Sequence, residues 1–206
     1  ATEKIIEIIE KARRNDLVIA LISGGGSALL TLPAKGITLT ELREVNSLLI
    51  HSDVEIRELN TVRKHLSGVK GGLLIKKASP ARLHAFIVSD VIGNDLSVIA
   101  SGATVRDEST LRQAKNVLRK HGLWSKVPKS VQRHLIRPAN ETPKRIRRCE
   151  NTIILDNSTA LKAMQKKARE LGFKAIVCSS ELDGNTHHVG RFIVRKAAIL
   201  SHSSAK

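Results

Sequence analysis

An unbroken aliphatic run, Leu17–Ile22, ends directly in Ser23-Gly24-Gly25-Gly26-Ser27. Consecutive apolar residues cannot alternate between core and solvent, so the run reads as a parallel strand covered on both faces. It is far short of the roughly 18 residues that a membrane span needs. Helix and strand signals then alternate along the chain. Thr38 and Glu41 have capping-box spacing and open a helix through Leu42, Val45 and Leu49. A second helix is predicted from about Thr61 to Val69, stopping at Gly71. Leu83–Val88 reads as a strand and Ser109–His121 as a helix ended by Gly122. Ile153–Leu155, a helix from Ser158 to Leu171 with Gly172 behind it, and Ala175–Cys178 read as a βαβ unit. Ahead of the first strand, an amphipathic helix places Ile5, Ile6, Ile8 and Ile9 on its buried side and closes at Arg13 and Arg14. The terminal Ser-His-Ser-Ser-Ala-Lys reads as a frayed tail. This rhythm predicts an α/β fold built on an open parallel sheet, whose ligands bind off the carboxyl ends of the strands.

Hydrophobic residues make up 41% of the 206, enough for a real core, so wholesale disorder is excluded. The two cysteines form no CxxC pair, which removes a zinc ribbon or disulfide framework and fits a reducing, intracellular setting. Charge is the outlier: 35 Lys and Arg face 19 Asp and Glu, a net +16. Such an excess suggests a polyanion. Three Phe, one Trp and no Tyr leave almost nothing for bases to stack on, so nucleic acid is not the expected partner. Residues 126–148 concentrate the charge, with eight basic residues against Glu141 and three of the five prolines. That composition reads as a solvated linker or irregular crossing.

Three motifs carry the chemistry. Ser23–Ser27 follows a strand, and its glycines would let backbone N–H groups approach an anion, with the next helix N-terminus adding its dipole; a plain tight turn is the alternative. It is neither a Walker A loop nor a nucleophile elbow, and Leu29 stands where a dinucleotide fingerprint needs glycine. On a continuous helix Arg63, Ser67 and Lys70 would share one face at i, i+4 and i+7, beside the apolar Val62, Leu66, Val69 and Leu73. Two cations and a hydroxyl so placed suit an anion, against the alternative of an ordinary solvated face. His65 reads as a structural histidine. Asp90, straight after Leu83–Val88, is placed to hold magnesium or accept a hydroxyl proton, or else to cap a turn. His187 and His188 have no third ligand spaced to join them, so they are not taken as a metal site.

The strings LISGGGSALL (21–30), ELNTVRKHLSGVKGG (58–72) and SDVIGNDLSVIASGATV (89–105) together resemble the glycerate 2-kinase family, in order over about residues 15–125 and more loosely to about 190. The resemblance implies a Rossmann-like domain plus a second α/β domain, with transfer of a phosphoryl group from ATP to D-glycerate and with magnesium. It implies that Ser23, Gly24, Gly25, Gly26 and Ser27 contact the small acid or a phosphate, and that Arg63, Lys64 and Lys70 neutralise anionic charge. It further implies that Asp90 is the base or a metal-linked carboxylate and Lys70 its catalytic companion. Asp95 is a second metal candidate, and Ser67, Ser101, Gly102 and Thr104 complete the expected substrate and phosphate contacts. The chain departs from the family pattern at Ile92, Asn94 and Ala103, where proline, aspartate and proline are usual. On this basis residues 1–125 are expected to form the first domain, 126–148 a basic linker and 149–206 the start of the second. The whole reads as a central fragment with impaired or absent turnover. A cytoplasmic location is expected, with mitochondria as the alternative, and a homodimer. A non-catalytic polyanion-binding module is the alternative function, followed by a hydroxypyruvate reductase.

Overall fold

The computed structural model describes residues 1–203, so residues 204–206 of the expected tail lie outside the described residues. Two compact units divide at Asp156/Asn157. The first opens with helix α1 (Thr2–Ile9), which buries Ile6 and Ile9 but leaves Ile5 and Ile8 exposed. Residues three apart share a face, so the full isoleucine set expected inside cannot all turn inward. Strand β1 (Leu17–Ile22) and the single-turn helix α2 (Gly26–Leu29) follow, then α3 (Leu39–Ile50), α4 (Ile56–His65) and α5 (Leu73–Ala78). Strand β2 (Arg82–Val88), α6 (Leu111–Lys120), α7 (Lys129–Leu135) and β3 (Cys149–Leu155) complete the unit.

The three strands form one parallel sheet in the order β1-β2-β3, with Leu17 beside Arg82 and Leu83 beside Cys149. Its inner face, with Val18, Ala20 and Ile22 on β1 and Leu83, Ala85 and Ile87 on β2, packs against α1, α5 and residues 99–103. The expectation that both faces of β1 are covered does not hold. Leu17, Ile19 and Leu21 are 58%, 59% and 80% exposed. An apolar run alone cannot tell a strand with two buried faces from an edge strand with one. A second core is built mainly from helices: Leu42, Val45 and Leu49 of α3 meet Leu59 and Val62 of α4, Val117 and Leu118 of α6, and Val131 and Leu135 of α7. Thr38 with Glu41, and Thr110 with Gln113, close reciprocal capping boxes at the starts of α3 and α6. The basic stretch 126–148 thus contains a helix whose apolar side is core.

Residues 65–72 thread from the helical core to the sheet core. Leu66 belongs to the first and Val69 to the second. Helix α4 stops at His65, where the sequence predicts continuation to Val69. Ser67 Oγ accepts hydrogen bonds from Val69 N and Lys70 N, an alternative to the helical ladder, and Gly71 and Gly72 take left-handed conformations. Arg63, Ser67 and Lys70 therefore do not lie on one helix.

The second unit holds α8 (Asn157–Glu170) and α9 (Thr186–Ser203). Ala175–Cys178 is not a strand: no described strand lies in this unit to pair with it. Among the described residues, no helix is long and apolar enough to cross a membrane.

Candidate functional site

The carboxyl ends of β1 and β2 bring the glycine loop against Asp90. A Cβ on Gly24 would stand 2.5 Å from Asp90 Oδ2, so only glycine lets the loop lie so close to that carboxylate. Gly25, at φ +82°, starts the turn into α2. That helix is four residues long, too short to develop the dipole expected at its start. Charge for an anion must come from side chains.

Two small cavities meet beside the loop. One, of about 220 Å³, is lined by Ser23, Gly24, Gly25, Asp90 and Arg63. The other, of about 190 Å³, is lined by Asn46, Arg63, Ser67 and Lys70. Ser27 and Arg63 border both. The spacing argument thus finds the right neighbours by the wrong route, since the turn after α4 supplies the convergence. Arg63 Nε donates to Asn46 Oδ1 at 2.7 Å, which aims the guanidinium along the cavity wall. Asn46, 17 residues upstream on α3, carries no sequence signal that would have found it. Lys70 is only 6% exposed and its Nζ donates to the Ser27 carbonyl oxygen. Burial, and then the nearby Arg63 charge, pushes its pKa down to about 8. Burial likewise lowers the Arg63 pKa. Among the described residues neither cation has a carboxylate within ion-pair distance. Two desolvated like charges facing a cavity favour an anion between them.

Other expected site residues are placed elsewhere. Lys64 sits about 100° around α4 from Arg63 and turns into the protein, 3.4 Å from Asp107 Oδ1. It is a structural partner and does not reach the cavities. Thr104 donates to Asn151 Oδ1 at 2.6 Å, and the Gly102 carbonyl accepts from Gly72 N at 2.8 Å, so both hold the framework. Ser101 reaches the loop, donating to Ser27 Oγ at 3.3 Å.

Asp95 Oδ1 accepts from Ser97 N at 2.8 Å, and hydrogen bonding by Ser97 is the main cause holding its carboxyl below the ordinary range. It lines neither cavity. Among the described residues, no three His, Cys, Asp or Glu side chains gather to hold a metal ion. Asp90 and Asp95 therefore do not make a magnesium site on their own. Asn94 donates to Asp156 Oδ2 at 2.9 Å, a contact its amide permits and a second carboxylate would oppose.

A family described as "Domain of unknown function (DUF4147)" matches residues 1–136. The chain is 42% identical to the glycerate 2-kinase of Pyrococcus horikoshii, over 93% of this chain and 44% of that protein. It is 40% identical to the glycerate kinase of Rattus norvegicus, over 99% of this chain and 40% of that one. The crystal structure of glycerate kinase from Thermotoga maritima superposes with a TM-score of 0.81 at 39% identity, covering 93% of this chain and 45% of the other. The chain spans less than half the length of these relatives.

Proposed function

The chain belongs to the DUF4147 family, and from that membership and its likeness to glycerate kinases we propose that its carboxyl-edge cavities bind and orient D-glycerate for phosphorylation by ATP at the 2-hydroxyl. The observation that carries this reading is the pair of desolvated cations, Arg63 and Lys70, each hydrogen-bonded only to a neutral oxygen and without a carboxylate in ion-pair distance among the described residues, beside a glycine loop that touches Asp90. In this reading Lys70 and Arg63 hold the glycerate carboxylate in the smaller cavity, whose wall Ser67 helps to form while its hydroxyl donates to the Leu32 carbonyl oxygen. The 2-hydroxyl then points across Ser27 toward Asp90, whose exposed carboxylate orients it and accepts its proton as the oxygen attacks phosphorus. The glycine loop leaves room for the incoming phosphoryl group. Catalysis of such a transfer is mostly positioning and charge neutralisation, and these residues supply the substrate half of it. Magnesium normally enters with nucleotide phosphates; among the described residues no three His, Cys, Asp or Glu side chains gather to hold it, and no step above depends on it. A cytoplasmic setting goes with this reading and with the unpaired Cys149 and Cys178.

Binding is the appropriate test, because phosphoryl transfer requires many charges acting together and the chain matches under half of each relative. By calorimetry, Arg63→Ala and Lys70→Ala should each weaken D-glycerate binding by about 1.5–3 kcal/mol, the range of a lost charge-assisted hydrogen bond. Neutralising Arg145 and Arg147 together should change it by less than about 0.5 kcal/mol, since exposed distant charges are screened. Loss of glycerate in the second variant with retention in the first pair would place the site wrongly.

A further inference from the structure

The amino ends of the strands carry a second concentration of positive charge that the glycerate reading does not use. Arg14 precedes β1, Lys76 lies in the last turn of α5 just before β2, and Arg145, Arg147 and Arg148 lead into β3. Parallel strands bring these segments to one edge, opposite the edge that holds Asp90. There they line a cavity of about 670 Å³. Its floor is apolar, from Ile75, Pro143 and Ile146. Arg148 ties the segments together: its Nη1 donates to the Pro80 carbonyl oxygen at 2.8 Å and to that of Arg14 at 3.5 Å, from a left-handed backbone at φ +60°. The side chains of Arg14, Lys76, Arg145 and Arg147 make no hydrogen bond or ion pair among the described residues. The one acid on the wall, Glu141, is already engaged by His65 and Lys144.

We propose that this amino-edge cavity is a second anion site, one that takes a ligand bearing a chain of two or three phosphates. Cations drawn together without counter-charges repel one another, and a multivalent anion relieves that repulsion at several of them at once. The volume is that of a small-molecule site, and the charges ring a concavity where a nucleic-acid duplex would need a longer track. The apolar floor beside the cations suits a nucleoside carried on the phosphate chain, while the cations alone serve a bare one.

Inorganic tripolyphosphate is the probe, titrated calorimetrically into the full chain near physiological salt, with ATP and a duplex DNA oligomer in parallel. Arg145→Gln with Arg147→Gln should weaken tripolyphosphate at least about tenfold, as should Lys76→Gln with Arg14→Gln on the other wall. Arg63→Gln with Lys70→Gln should leave it within about twofold. Circular dichroism and melting confirm the fold of each variant, and two independent walls guard against a single misfolded one. ATP that depends on the same residues identifies a nucleotide as the source; tripolyphosphate bound without ATP identifies the bare phosphate chain. Either supports the site. Unchanged affinity in both wall variants, loss in the Arg63 and Lys70 variant alone, or binding of DNA without tripolyphosphate overturns it.

Discussion

Asp107→Ala is expected to lower the melting temperature by roughly 10 °C. Asp107 is buried where the helical and sheet cores adjoin, and its two oxygens serve five groups. Oδ1 accepts from Ser109 N at 3.1 Å and Ser109 Oγ at 2.7 Å, and lies 3.4 Å from Lys64 Nζ. Oδ2 accepts from Thr142 Oγ1 at 2.9 Å and stands 3.8 Å from His65 Nε2. Removing it leaves the buried Lys64 ammonium without a counter-charge, which costs about 3–5 kcal/mol in comparable buried pairs. A chain of this size loses about 2–4 °C per kcal/mol. Adding Lys64→Met to Asp107→Ala should restore part of the loss, because it removes the orphaned charge while the Ser109 N–H and hydroxyl still lack the acceptor they lost. A shift under about 2 °C for Asp107→Ala, or no recovery in the double variant, would show that water reaches Lys64 and that this hub is not structural.

That hub was not legible in the sequence, and the reason is separation along the chain. Lys64 and Asp107 lie 43 positions apart, and Thr142 and His65 77 apart. Nothing local marks them as partners, so Lys64 reads as one more cation beside Arg63. What was legible is what local chemistry determines. The capping box at Thr38 holds because only two positions separate it from Glu41, and the left-handed Gly122 and Gly172 end their helices because few other residues turn there cheaply. The glycine loop and Asp90 were found because both follow strands, and parallel strands put their ends together. Helix α7 was hidden by its own charge: Lys129 and Arg133 dominate the composition, while Val131 and Leu135 do the packing. The uncovered outer face of β1 is the converse case, apolar residues that sequence places inside and the fold leaves out.

Between pH 7 and pH 9, D-glycerate affinity is expected to fall about tenfold, through Lys70. The buried ammonium has a pKa of about 8 in the folded chain, against an ordinary 10.5, chiefly from desolvation and then from Arg63. At pH 7 about nine-tenths of the molecules carry the charge, and at pH 9 about one-tenth. The glycerate carboxylate stays ionised across this range, so the charge that changes belongs to the protein. The sign for stability runs the other way. Between pH 8 and pH 10.5 the unfolded chain holds the Lys70 proton while the folded chain has released it, so the contribution of this position to stability rises with pH over that window. A bound anion supplies the missing counter-charge, raises the lysine pKa again and draws a proton from buffer near pH 8. Calorimetry in buffers of different ionisation enthalpy reads that uptake directly. Lys70→Arg should keep its charge and bind with little pH dependence, and Lys70→Ala should bind weakly at every pH. Wild type with a flat profile, or Lys70→Ala retaining the same fall, would remove Lys70 from the anion site and leave Arg63 as its cation.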